Sequence, residues 1–236
     1  MPGFRQILRV LVLIAVCAVL SNAQNALSAE VHAKLAYPKD MERHTALSAV
    51  LWLQPLEPNP DLAFVPTQHY TLLQKNRMFR PHLLVIPVGS VVEFPNHDPF
   101  FHNVFSLFDG KRFDLGLYEA GSTKSVTFSR EGVSYIFCNI HPEMSAVVLT
   151  LSSKLFSIAD STHAFSIQGV PAGDYDMHLW IEGAPQPALN ALTRRVHISG
   201  VSVNLGSLEI PRGLLRTSPH TNMYGQRYDR DTKQPY

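Results

Sequence analysis

Cysteine is almost missing from this chain: Cys17 and Cys138 are the two that it has. Cys17 lies in an apolar run, residues 10–20, which follows Arg5 and Arg9 and precedes the small residues Ser21-Asn22-Ala23. That order is the pattern of a secretory signal with cleavage after Ala23, and the run falls short of the roughly 20 residues that span a bilayer. With 1–23 removed as a signal peptide, Cys138 is the one thiol of an exported chain, which excludes an internal disulfide. Charge of one sign is also lacking. The signal takes Arg5 and Arg9 from 20 basic residues and nothing from 19 acidic ones. The near-neutral remainder has no basic footprint for nucleic acid and no polybasic patch for a membrane surface. No second run is apolar enough to span a membrane after cleavage, so a periplasmic or secreted location is expected. The chain has no His-x-His pair, no glycine-rich phosphate loop and no Ser/His/Asp constellation. Multicopper oxygen reduction, nucleotide binding and triad hydrolysis are left without a motif.

What the chain does have is Cys138-Asn139-Ile140-His141-Pro142-Glu143-Met144, a thiolate, an imidazole and a thioether in one short loop. With a second imidazole these donors suit copper, held by two His nitrogens and a Cys sulfur with a weak axial Met. His102 is the candidate for the second imidazole, in Phe101-His102-Asn103-Val104-Phe105-Ser106, where a strand begins. His97 is the competitor, but Asn96-His97-Asp98-Pro99 has the composition of a turn. Zinc, held by two imidazoles, a thiolate and water, is the other metal this donor set admits, and Met144 argues against it. Glu143 reads as a solvated side chain. Phe100, Phe101 and Phe137 read as core residues, with an apolar rim beside the metal as the alternative.

A chain of 236 residues, 45% of them hydrophobic, can bury a real core. Residues 30–75 carry two strand-like pieces, 31–35 and 47–53, and a proline-rich stretch, which is too little to fold alone. Residues 76–152 hold a series of short strands separated by turns: 83–88, 91–94, 102–107, the alternation Phe113, Leu115, Leu117, then 123–128, 133–137 and 145–151. No amphipathic helix interrupts them, which describes a β-sandwich or small barrel. Ile136 and Cys138 fall on one face of their strand and Tyr135 and Phe137 on the other, so the thiol points inward. Residues 153–211 read as strand, turn, strand around Val170-Pro171-Ala172-Gly173, then further strands near Val196 and Val203. This segment is expected to pack with 30–75, which makes the middle segment an insertion. The tail, 212–236, lacks periodicity and reads as disordered. His32, His44, His69, His178, His197 and His220 have no metal-ligand spacing.

The stretches Phe94-Pro95-Asn96-His97-Asp98, His102-Asn103-Val104-Phe105-Ser106 and Cys138 to Met144 together resemble the cupredoxins, and the Cys-x2-His-x2-Met spacing resembles amicyanin. The chain as a whole is similar to the bacterial methylamine-utilisation, plastocyanin-like proteins, and 153–211 resembles carboxypeptidase-regulatory-like, transthyretin-like sandwiches. The resemblance implies an all-β chain: a cupredoxin-like Greek-key β-sandwich, plus a second small β-sandwich built from the flanking segments. It implies one type 1 copper ion on His102, Cys138, His141 and Met144, with Asn103 tying the two ligand loops together.

Such a site suits a one-electron carrier rather than an enzyme, and no catalytic residue is expected. Phe137 and Asn139 flank Cys138, so no histidine next to the thiolate passes electrons to a second copper centre. A partner of redox type is expected, such as a c-type cytochrome or a periplasmic dehydrogenase. His141 should be the ligand nearest solvent and the electron portal, ringed by Pro142 and Phe100 or Phe101. The alternative is a copper-binding or partner-binding module without redox traffic.

Overall fold

Apolar residues at every second position build strands along most of this chain, and the computed structural model describes residues 28–37, 48–107, 110–211, 224 and 226. The signal segment, His44, and nearly all of the tail, including His220, lie outside the described residues. In chain order the strands are β1 (Ser28–Ala36), β2 (Ala49–Pro55), β3 (Tyr70–Thr71), β4 (Leu73–Gln74), β5 (Phe79–Arg80), β6 (Leu83–Pro87), β7 (Ser90–Pro95), β8 (His102–Ser106) and β9 (Phe113–Tyr118). There follow β10 (Thr123–Phe128), β11 (Gly132–Phe137), β12 (Ser145–Leu151), β13 (Phe156–Ile158), β14 (Ala164–Pro171), β15 (Gly173–Ile181), β16 (Arg194–Ile198) and β17 (Ser202–Glu209). The all-β class expected from the sequence holds. One short helix, α1 (Gln186–Asn190), and a single 3-10 turn at Pro60–Leu62 are the helical exceptions among the described residues.

The chain divides into two units. In the first, described residues before Asn59 join those from Leu155 to Pro211, forming the sheets β14-β1-β17 and β13-β2-β15-β16. Strand β1 lies antiparallel to β14 and parallel to β17, and β2 lies between β13 and β15. Each flank thus supplies strands that the other lacks. The alternation in β1 puts Ala29, Val31, Ala33 and Leu35 inside, where they meet Phe165, Ile167 and Val170 of the paired strand's buried positions.

The second unit carries the sheets β10-β7-β3 and β6-β12-β11-β8-β9 and the hairpin β4-β5. Its boundary falls at Asn59, not at residue 76. Residues 59–75 belong here because their backbone groups pair here: β3 runs parallel to β7, the Phe64 N–H donates to Ser152 O at 2.6 Å, and Ala63 bridges Ser153. At the far end the boundary is Lys154, two residues beyond the expected 152. The core joins Leu72, Phe94, Val104, Phe128, Ile136 and Val148 with Cys138 and Met144. Burying each large apolar side chain contributes roughly 1.5–3 kcal/mol, so both sulfur residues belong to a wall that the whole unit stabilises.

Candidate metal centre

Strands β11 and β12 pair antiparallel with Phe137 opposite Ser145, so residues 138–144 close one end of a two-stranded ribbon. Two backbone bonds draw the loop tight: Cys138 N–H to Met144 O at 3.3 Å and Met144 N–H to His141 O at 3.0 Å. Strand β8 lies beside β11, pairing Phe105 with Phe137, and runs antiparallel to it. The start of β8 therefore falls at the same end of the sheet as the end of β11, which sets His102 beside the loop. His102, Cys138 and Met144 are fully buried, while His141 is partly exposed.

His102, Cys138 and His141 form one cluster, each offering a ligand atom within 4.8 Å of the others. The three separations are 3.1 Å between the two Nδ1 atoms, 3.5 Å from Cys138 Sγ to His141 Nδ1, and 3.9 Å from Cys138 Sγ to His102 Nδ1. A triangle with these sides has a circumscribed radius of about 2 Å, close to metal–nitrogen bonds of about 2.0 Å and metal–thiolate bonds of about 2.3 Å. One ion can thus touch all three donors without their moving.

The protons agree with that geometry. His102 Nε2 lies 2.8 Å from Asp98 Oδ2. A carboxylate only accepts, so Nε2 carries the proton and Nδ1 presents a lone pair toward Cys138 and His141. Burial lowers the His102 pKa, and the Arg77 charge adds to this against the pull of Asp98. His141 is pushed down to about 4 by burial, then by His102 and Arg77. Burial raises the Cys138 thiol, opposed by the backbone N–H groups of Asn103, Ile140 and His141. Two neutral imidazoles and a thiol that those N–H groups can receive as a thiolate make a soft, singly charged donor set, which fits copper.

The neighbouring residues divide. His97 is exposed and outside the cluster, its backbone N–H bound to Gln74 O at 2.9 Å. Glu143 is exposed. Phe101, read as core, is 54% exposed; it precedes β8, whose five residues are all buried. Phe100 packs its ring 5.2 Å from His102 and 5.6 Å from His141. The Asn103 side chain does not reach the Cys138 loop: its amide donates to Asp114 Oδ1 on β9 at 2.7 Å. Its backbone N–H does serve the Cys138 sulfur, which ties the start of β8 to the loop. The sequence reading missed Asp98 as a partner of the site, although its place four residues before His102 was the available signal.

No family profile matches the chain, and no curated protein does. Among solved structures the chain is similar to a mutant of amicyanin in its reduced Cu(I) form at pH 4, at 20% identity, covering 37% of this chain and 86% of that one with a TM-score of 0.34. It is similar to a purple cupredoxin from Nitrosopumilus maritimus, at 27% identity over 34% of this chain and 96% of the other, TM-score 0.31. It is also similar to a Cu-containing nitrite reductase from Thermus scotoductus SA-01, at 24% identity over 42% of this chain and 27% of that chain, TM-score 0.35. The second unit is built of a three-stranded and a five-stranded antiparallel-rich sheet and a short hairpin, with the donor cluster at the end of the five-stranded sheet where β11 meets the start of β8.

Proposed function

We propose that this chain is an exported mononuclear type 1 copper protein that transfers single electrons, with His102, Cys138 and His141 as equatorial ligands and Met144 as the axial one. The observation that carries this reading is the triangle of donor atoms, whose size suits one ion, set beside a buried Met144. Bound copper supplies one-electron chemistry by alternating between Cu(I) and Cu(II). The protein's part is to hold the donors still. Three of the four residues sit at 0% exposure in a strand-braced wall, so little rearrangement accompanies a change of charge.

His141 is the ligand ring with an exposed edge, and Ile140 (44% exposed) and Phe101 (54% exposed) stand beside the loop and the start of β8. This favours electron entry at His141 from a partner that makes a brief, small contact. A c-type cytochrome or a periplasmic dehydrogenase has the required chemistry. The chain's lack of a His-x-His pair and of a histidine beside Cys138 favours a carrier over a multicopper enzyme.

Protein loaded with Cu(II) is expected to show intense thiolate-to-copper charge transfer in the visible range, and Cys138→Ser to abolish it. If the Cys138→Ser protein keeps both colour and copper, the assignment is wrong. Colour without electron exchange with a c-type cytochrome would instead mark a module that carries copper without redox traffic.

A further inference from the structure

Behind the His102 ring stands a buried carboxylate. Asp98 is 5% exposed, and its two oxygens accept from three donors: Oδ1 from the Asn76 N–H at 2.6 Å, and Oδ2 from the Arg77 N–H at 2.9 Å and His102 Nε2–H at 2.8 Å. The Asp98 N–H is fixed in turn by Asn96 Oδ1 at 3.0 Å, and the Asn96 amide donates to Phe100 O at 2.8 Å. Asn76 and Arg77 have φ of 56° and 54°, a left-handed conformation that costs a non-glycine residue energy. They form the tip of the β4-β5 hairpin, whose adjacent N–H groups make a small anion-binding concavity. From the same tip the Arg77 guanidinium lies 5.2 Å from the centre of the Phe100 ring, which packs on both histidines.

We propose that Asp98 is a positioning residue for the metal centre: it locks His102 in the Nε2–H tautomer with Nδ1 facing the other donors, and its negative charge favours Cu(II) over Cu(I), lowering the reduction potential. The second half rests on the copper reading above; the first half does not. The physical argument is one of acceptor count and charge. A carboxylate bonded to the outer N–H of a ligand imidazole fixes the ring and strengthens it as a donor, and an anion held in a water-poor wall stabilises the more highly charged metal. An amide at this place has a single acceptor oxygen, so it cannot serve Asn76 on one side and Arg77 with His102 on the other. The Arg77 guanidinium opposes the Asp98 charge, and the two residues therefore act on the site with opposite sign.

The test uses Asp98→Asn and Arg77→Gly in the full chain. In metal-free wild-type protein, ring ¹⁵N spectra should show His102 protonated at Nε2 and bare at Nδ1, and Asp98→Asn should mix the tautomers. Loss of the second-sphere partner should weaken Cu(II) binding by roughly 10–100-fold, with a smaller loss for Cu(I). Each tenfold difference between the two losses raises the potential by about 59 mV. Arg77→Gly keeps the N–H to Asp98 and suits the turn, so it should fold and should lower the potential. An unchanged or lowered potential in Asp98→Asn with an unmixed His102 tautomer would overturn the proposal, as would a raised potential in Arg77→Gly. If wild-type protein binds no copper, the copper reading fails, and the tautomer of the metal-free protein still decides whether Asp98 positions His102.

Discussion

Met144 does two things that a single substitution can separate. Its side chain is fully buried in the core of the second unit, and in the proposed site its thioether is the weak axial donor. Leu matches Met in volume and polarity but has no sulfur, so Met144→Leu should cost less than about 1.5 kcal/mol of stability. The equatorial thiolate remains, so Cu(II) protein should stay intensely coloured, while the reduction potential rises because an apolar group replaces a donor to the more highly charged state. Denaturant unfolding of the metal-free protein and a redox titration check the two halves; an unchanged potential would remove Met144 from the site. At this scale the donor loop was legible because its residues are adjacent in sequence, and His102 stood out from His97 because strand and turn chemistry differ. Asp98 was legible only by its place four residues before His102. Its role depends on N–H groups of Asn76 and Arg77, 22 and 21 positions away, and nothing local announces a pairing of that range.

Strand β11 delivers Cys138, and its first residue, Gly132, seats against Gly110, at 3.2 Å between a Cβ added at Gly132 and the Gly110 Cα. A Cβ on Gly110 would lie 2.5 Å from Val133 O and 2.6 Å from Val133 C. Those are backbone atoms within a sheet and cannot swing aside. Gly110→Ala should therefore destabilise the second unit by roughly 1–3 kcal/mol, as overpacking does, lowering the denaturation midpoint with an unchanged m-value. Gly116→Ala is the comparison: nothing lies within 4 Å of its added Cβ and φ is 63°, so only the left-handed penalty of roughly 1–2 kcal/mol applies. A Gly110→Ala protein as stable as wild type would refute the close approach. In sequence Gly110 lies in the stretch between the strand 102–107 and the alternation from Phe113; the contact with Val133 is tertiary. Long apolar or alternating runs between turn residues were read closely, β10 and β12 to the residue. The two-residue strands β3, β4 and β5 were not: β3 is defined by its pairing with the distant β7, and β4 and β5, a hairpin of two pairs, are too short to show a pattern. Helix α1 was hidden in Pro185-Gln186-Pro187, a run whose prolines suit a helix's first turn but also suit a loop.

At the scale of the whole chain, the His102, Cys138 and His141 donor cluster belongs entirely to the second unit, which is inserted between β2 and β13 of the first. Its entry and exit lie side by side, with Ala63 bridged to Ser153 and Lys154 N–H bound to Leu62 O at 3.0 Å. The insertion followed from the reading of residues 30–75 as too little to fold alone, which required β1 and β2 to find partners beyond the middle segment, as they do in β14, β17, β13 and β15. The position of the boundary was not legible, since the proline-rich stretch after β2 carries no alternation to assign it to either side. A ligand stabilises the cooperative unit that must unfold to release it, by about 2.7 kcal/mol at a hundredfold excess over its Kd. Adding Cu(II) should therefore slow backbone hydrogen exchange in β8, β11 and β12, whose amides open with the site. It should leave β1, β14 and β17 exchanging as before, because their sheet closes without any residue of the inserted unit. Exchange measured by mass spectrometry on peptides from both units, with and without copper, resolves this. Equal slowing in β1 and β11 would mean that the two units open as one, and the insertion would then be a feature of chain order with no energetic boundary behind it.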